Sequence, residues 1–202
     1  MYKIVKRILD IVLSIVGLIL LSPLIIIISI IIKLTSKGPV IFKQERIGKD
    51  GKVFKILKFR SMVVGAEHTG SGVYSGSDDP RVTKIGKFIR KTSIDEFPQF
   101  INILVGDMSF IGPRPVLTYH PWKFDKYSKE QLKRFDVKPG ITGWAQIHGR
   151  KTVEWNERLK YDVYYVENLS FLLDVKILFK TIKQVVTSEC NENIGATVKE
   201  AK

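Results

Sequence analysis

The sequence predicts an α/β fold that is mainly helical, with one small β-hairpin, behind an apolar N-terminal membrane helix. Three observations carry that expectation. Ile11 to Ile32 is a run of 22 residues without a charge, 17 of them hydrophobic, which is long enough for a membrane segment. Val40–Gln44 and Val53–Leu57 are β-prone and flank Asp50-Gly51, a dipeptide that favours positive φ. From Val82 onward the apolar residues recur mostly at helical spacing.

Composition narrows the partners. The chain has 202 residues and 33 Lys+Arg against 20 Asp+Glu, a net charge of +13 that calls for an anionic partner or surface. At 45% hydrophobic it is no disordered polyelectrolyte, because that much apolar side chain offsets the entropy of ordering a compact domain. One cysteine, Cys190, excludes an intrachain disulfide and fits a reducing, cytoplasmic setting. The apolar run lacks the small-residue exit of a cleaved signal peptide, so it is read as retained. The organisation is then an anchor over 1–36, a folded domain over 37–187 and a polar, disordered tail over 188–202.

Taken in order, the anchor is interrupted first. Ser22-Pro23 lies at its middle, where proline removes a backbone donor and serine can satisfy the carbonyl left over. Each half-helix extends roughly 15 Å, about half of a hydrocarbon core. Lys3, Lys6 and Arg7 precede the run and Lys33, Lys37 and Lys43 follow it, so charge asymmetry does not orient it. A spanning helix with a proline and a re-entrant hairpin with both ends cytoplasmic fit these features equally.

The hairpin of Val40–Gln44 and Val53–Leu57 comes next, then a Gly-, Ser- and Asp-rich loop from Gly65 to Pro80. Val82, Ile85, Phe88 and Ile89 mark a short helix whose other faces carry Lys84, Lys87, Arg90 and Lys91. Ile94–Leu104 reads as a second helix ending near Gly106, and Gly112-Pro113-Arg114-Pro115 as a rigid loop. Ser128–Phe135 is helix-like, and Lys138–Gly143 is a turn. Val153 to Val186 is helical again, broken near Asn168-Leu169-Ser170. Its last part carries an apolar stripe of Phe171, Leu172, Val175, Leu178, Phe179, Ile182 and Val186 beside Lys176, Lys180 and Lys183. Such a helix packs on the core or lies on the bilayer surface; most of those side chains are assigned to the core.

Asp95 and Glu96 stand out chemically. At a helix start and after Arg90-Lys91, Asp95 is expected as an anion, available as a nucleophile or a magnesium ligand. The competing reading is structural: Ser93 and Glu96 have the spacing of a capping box. Arg60, Arg90, Arg114 and Arg150 each stand beside a turn or helix boundary and suit bidentate contact with phosphate. A Walker loop and a G-x-G-x-x-G fingerprint are both absent. His68, His120 and His148 lack metal-ligand spacing, which argues against zinc, and Trp122, Trp144 and Trp155 read as core or interface residues.

The pieces in this order resemble the bacterial sugar transferase family, the monotopic phosphoglycosyl transferases. The stretches that carry the resemblance are Ser22-Pro23, Lys58-Phe59-Arg60-Ser61-Met62, Asp79-Pro80-Arg81, Ser93 to Gln99, Gly106 to Pro115 and Lys138 to Gln146. The resemblance implies that Asp95 attacks the β-phosphate of a UDP-sugar and expels UMP. Undecaprenyl or another polyprenol phosphate would then take the phosphosugar from Asp95, opening the assembly of a surface polysaccharide or glycoprotein glycan. It implies that Mg2+ neutralises the diphosphate, with Asp95 and Glu96 as the metal residues and Glu96 holding the ion or assisting proton removal. Arg90 would orient Asp95. Pro113, Arg114 and Pro115 would form the nucleotide-binding turn, with Arg60 and Arg150 as further substrate-binding arginines. It also implies a re-entrant helix-hairpin bent at Ser22-Pro23, surface amphipathic helices, and a place on the cytoplasmic face of the plasma membrane among anionic phospholipids. Nucleic acid is then no partner, and self-association stays open. Ile94 and Phe97 replace the leucines usual around the acidic pair, an apolar swap that leaves the chemistry alone.

Two other readings compete. A non-enzymatic, membrane-anchored basic protein binding anionic lipid or another polyanion explains the charge and the anchor, but not an acidic pair inside a basic region. An enzyme that transfers sugar alone would release UDP instead of UMP.

Overall fold

The structure is a computed structural model that describes residues 2–70, 72, 75, 79–149 and 153–187. Arg150, the tail over 188–202 with Cys190, and part of the loop over 65–78 lie outside the described residues.

The apolar run forms the central part of α1, a helix over Tyr2–Thr35 that contains Pro23. Proline has no N–H to give to the carbonyl of Ile19. The Ser22 hydroxyl donates to that carbonyl at 2.8 Å, so the lost backbone bond is replaced locally, as the Ser-Pro pair leads one to expect. Only 11% of the most apolar stretch of α1 is buried in the protein, and Ile19 and Leu20 are 66% and 72% exposed. That surface suits lipid rather than water.

The buried side of α1 is held at both ends by the same folded unit. Near its start, Arg7 donates to the carbonyls of Ile103 and Leu104 at 2.6 and 2.9 Å. The buried Asp10 carboxylate accepts from Ser109 Oγ at 3.0 Å and Phe110 N at 3.1 Å. Near its end, Ile28 and Ile32 pack with Phe59 and Ile89. Each such fully buried side chain is worth about 1.5–3 kcal/mol.

The predicted hairpin is present as β1 (Ile41–Ile47) and β2 (Val53–Phe59), antiparallel with Ile47 opposite Val53. Asp50 and Gly51 turn it with φ of 55° and 75°. β4 (Val116–Leu117) joins its other edge, giving the order β2-β1-β4. A second, parallel pair, β3 (Ser109–Ile111) with β5 (Gly140–Thr142), was not foreseen. Strands of two or three residues are too short to print an alternating pattern.

The basic helix is α2 (Lys84–Lys91), capped by Thr83 Oγ1 accepting from Gly86 N at 3.0 Å. The helix expected over 94–104 is two pieces. A 3-10 turn over Ile94–Glu96 is followed by α3 (Gln99–Val105), with Pro98 at the junction and Gly106 closing α3 at φ 102°. Ser128–Phe135 is likewise α4 (Lys129–Leu132) plus a 3-10 turn. After α5 (Trp144–Ile147), the long helical region divides at Asn168-Leu169-Ser170 into α6 (Trp155–Glu167) and α7 (Phe171–Val186).

On α7 the core assignment needs correction. Ile177 and Asp174 are buried, whereas Phe171, Leu172, Leu178, Phe179 and Ile182 are exposed, Leu172 by 78%. Asp174 draws the buried side inward. It accepts from Tyr165 Oη at 2.7 Å, from Lys6 Nζ at 2.6 Å and from the Tyr2 hydroxyl, which ties α7 to the start of α1. The apolar stripe is therefore left facing outward beside the start of α1.

Candidate active site

The acidic pair lies in the 3-10 turn between α2 and α3, entered through Ser93 at φ 59°. A serine in that conformation does not cap: its side chain makes no cap hydrogen bond, so the capping-box reading fails. Glu96 has other partners. Its Oε1 accepts from Lys58 Nζ on β2 at 2.7 Å and from Arg114 Nη2 at 2.8 Å. Burial alone would raise the Glu96 carboxyl, but Arg114 and Lys58 outweigh it and hold it well below the ordinary carboxylate range.

Asp95 is treated differently by its surroundings. It is half-buried, and neither its oxygens nor Glu96 Oε2 receive a hydrogen bond from a described residue. Burial raises its carboxyl above the ordinary value; Lys58 pulls it back, the Glu96 anion pushes it further up, and Arg114 and Arg90 pull it down. The expectation that cations and a helix start lower it is thus corrected. The two nearest cations are engaged with Glu96, and the turn is too short to provide a helix N-terminus.

Arg90, in the last turn of α2, stands near enough to act on the Asp95 charge, and it has no ion pair among the described residues. Arg114 is placed with care. Its own carbonyl accepts from Arg134 Nη2 at 2.9 Å, the carbonyl of Pro115 from Arg46 Nη1 at 3.2 Å, and the carbonyl of Pro113 from Gly140 N at 2.9 Å. Arg134 is itself buried and paired with Asp162 at 2.8 Å. The backbone passes so close here that a Cβ on Gly112 would overlap the Lys138 carbonyl, and one on Gly143 the Gly112 carbonyl.

Arg60 is not brought to the acids. It is 4% exposed, and its terminal nitrogens serve the end of α1, donating to the carbonyls of Lys37 and Ser36 at 2.5 and 2.8 Å and to Ser36 Oγ at 2.8 Å. It caps the end of α1. Ser22 and Pro23 lie within α1, far from the acids in sequence, with the Ser22 hydroxyl bonded to Ile19, and Arg150 is outside the described residues. Arg81 of the Asp79-Pro80-Arg81 stretch is structural too, paired with Asp79 at 2.6 Å and donating to the carbonyls of Ala66, Thr69 and Gly72.

Lys58 was missed as a site residue. Its only signal was its place in the Lys58-Phe59-Arg60-Ser61-Met62 stretch. As for a metal, no group of three or more His, Cys, Asp and Glu suited to one occurs among the described residues. Two adjacent carboxylates with open oxygens nevertheless fit Mg2+, which commonly takes one or two protein carboxylates and completes its shell with phosphate oxygens and water.

A family model described as bacterial sugar transferase matches residues 1–188. The chain is 47% identical over 182 residues to UDP-glucose:undecaprenyl-phosphate glucose-1-phosphate transferase of Klebsiella pneumoniae, covering 88% of this chain and 39% of that one. It is 45% identical over 189 residues to UDP-N-acetylgalactosamine-undecaprenyl-phosphate N-acetylgalactosaminephosphotransferase of Aeromonas hydrophila, covering 92% and 44%. With the uncharacterized sugar transferase EpsL of Bacillus subtilis (strain 168) the identity is 44%, over 92% of this chain and 89% of that one. The chain thus spans about two fifths of the length of the first two relatives.

Proposed function

The chain belongs to the bacterial sugar transferase family, and on that premise we propose that it moves a sugar-1-phosphate from a UDP-sugar to undecaprenyl or another polyprenol phosphate, releasing UMP. The observation that carries this reading is the division of labour between adjacent acids. Glu96 is neutralised by Lys58 at 2.7 Å and Arg114 at 2.8 Å, while Asp95 beside it has no hydrogen-bond partner among the described residues. An unengaged carboxylate next to a cationic cluster is suited to attack an anionic phosphorus centre.

In the first half-reaction an Asp95 carboxylate oxygen bonds to the β-phosphorus, and the bond from that phosphorus to the bridging oxygen breaks. UMP leaves with the bridging oxygen and its electron pair, stabilised by Arg114 and the neighbouring cations. In the second, a phosphate oxygen of the polyprenol phosphate bonds to the same phosphorus and Asp95 departs as carboxylate. Mg2+, when bound, would neutralise diphosphate charge, and Asp95 and Glu96 are the residues that would hold it. A carboxylate held as low as Glu96 is a weak base, which favours holding over proton removal. Arg90 biases Asp95 toward its charged form without tying up its oxygens.

The lipid acceptor suits the anchor. Polar contacts fix both ends of α1 to one folded body, Asp10 to Ser109 at one end and Ser36 to Arg60 at the other. A straight helix of 34 residues would carry its ends about 50 Å apart, across the whole bilayer. The shared attachment therefore supports a re-entrant anchor with a bend at Ser22-Pro23, both ends cytoplasmic, and the exposed apolar face of α7 resting on the leaflet.

The test is which nucleotide leaves. Purified protein in vesicles containing polyprenol phosphate should release UMP from a UDP-sugar, and Asp95→Asn should lower that rate by at least about 1,000-fold while still sedimenting with membranes. Release of UDP would favour simple sugar transfer, and substantial turnover by Asp95→Asn would remove Asp95 from the nucleophile role.

A further inference from the structure

Two arginines outside the resemblance's site residues flank Arg114. Arg46 lies on β1, opposite Leu117 of β4, and its Nη1 holds the Pro115 carbonyl at 3.2 Å. Arg158 lies on α6 one turn before Asp162, the partner of the Arg134 that holds the Arg114 carbonyl, and its Nε donates to the Val153 carbonyl at 3.1 Å. Arg46 is thus bonded to the loop of Arg114, and Arg158 stands close enough for the Arg114 charge to act on it.

Neither is neutralised in place. Arg46 Nη2 donates to Gln44 Oε1 at 2.5 Å, and Gln44 in turn reaches Glu67 Oε2 at 3.2 Å, so that acid is one side chain removed. Among the described residues Arg46 and Arg158 make no ion pair, and Arg46 Nε is buried without an acceptor. Burial and the Arg114 charge pull Arg46 down to about 10 and lower Arg158 as well, outweighing the opposing charges of Glu96 and Glu67 on the first and of Asp162 on the second.

Position distinguishes the two anionic substrates. Val40 and Ile41 pack beside Ile28 and Ile32 at the end of α1, and Lys58 sits opposite Phe42 in the same hairpin. Arg46 is five residues further along β1 than Ile41, about 16 Å at the rise of an extended strand. From the membrane end the order is therefore Lys58, then Glu96 with Arg114, then Arg46. A polyprenol phosphate comes from the lipid side of the acids, and a soluble nucleotide from the other.

Resting on the reading that this site takes a nucleotide-sugar, we infer that Arg46 and Arg158 complete with Arg114 a three-arginine cradle for the diphosphate of the soluble donor, and that they take no part in binding the lipid phosphate. Arg46 and Arg158 each carry N–H groups beyond those given to Pro115, Gln44 and Val153, and such charged donors suit phosphate oxygens.

The test uses the full chain in vesicles and two readouts, equilibrium binding of UDP and steady-state kinetics in both substrates. Arg46→Gln and Arg158→Gln should each weaken UDP binding and raise KM for the UDP-sugar by about 10-fold or more, as expected for loss of charge-assisted hydrogen bonds. KM for polyprenol phosphate should stay within twofold, and kcat should fall less than threefold. Arg46→Lys and Arg158→Lys should recover part of the UDP affinity, and they carry the test if a glutamine form fails to fold. Unchanged UDP affinity, or an equal rise in both KM values, overturns the cradle. Because UDP binding needs no turnover, it decides this inference even if the chain released UDP instead of UMP.

Discussion

Asp95 and Glu96 are neighbours in the chain whose carboxyls are shifted in opposite directions, one raised by burial and one lowered by two cations in contact. Lys58 is central to that contrast, since its ammonium contacts Glu96 and its charge also acts on Asp95. Lys58→Met should lower kcat/KM for UMP release by about 10- to 100-fold, on the scale of one lost hydrogen bond between charged groups; a change below twofold in a steady-state assay would contradict its role. The acids themselves were legible because two carboxylates amid basic residues are conspicuous in a +13 chain. Lys58 was not, for the same reason: one lysine among 33 basic residues carries no local mark, and its partner lies 38 residues away. The carbonyl partners of Arg60 were not legible, because a turn-adjacent arginine looks alike in sequence whether or not it serves the carbonyls ending α1.

Those carbonyls explain what Arg60 does for the element. The last carbonyls of a helix have no intrahelical donors, and at the edge of a membrane they lack bulk water as well. Arg60→Met keeps the apolar stem but strips donors from Lys37, Ser36 and the Ser36 hydroxyl. It should cost about 2–4 kcal/mol and lower the thermal midpoint by several degrees, with the UDP KM of the folded protein little changed. A parent-like midpoint would show that the cap contributes nothing. At this scale the sequence was informative where periodicity runs long. α1, the hairpin, α2 and the α6–α7 break follow from apolar spacing, Asp50-Gly51 and Asn168-Leu169-Ser170. The 94–104 region was misread because the apolar residues on either side of Pro98 keep helical spacing while the backbone changes from 3-10 to α. β3 to β5 were invisible because their pairing partners, not their own residues, make them strands.

For the whole molecule, the +13 charge and the apolar surface act together. α1 and α7 are joined through Lys6, Tyr2 and Asp174, so their exposed apolar surfaces belong to one packed unit. On the proposed reading the basic surface would meet anionic head groups, and the acids would receive both a lipid phosphate and a soluble diphosphate. Single cysteines placed beside Lys3 and beside Lys37 should both react with a reagent applied to the cytoplasmic side and be protected from an impermeant reagent outside; labelling of the first only from outside would make α1 a spanning helix. Asp95 as a covalent carrier is the central claim, and a single-turnover experiment without acceptor tests it most directly. Mixing the protein with a UDP-sugar alone should give a burst of UMP approaching one per chain and a sugar-phosphate mass increment on the peptide containing Asp95. No burst and no modified peptide, in protein that turns over once polyprenol phosphate is added, would contradict it.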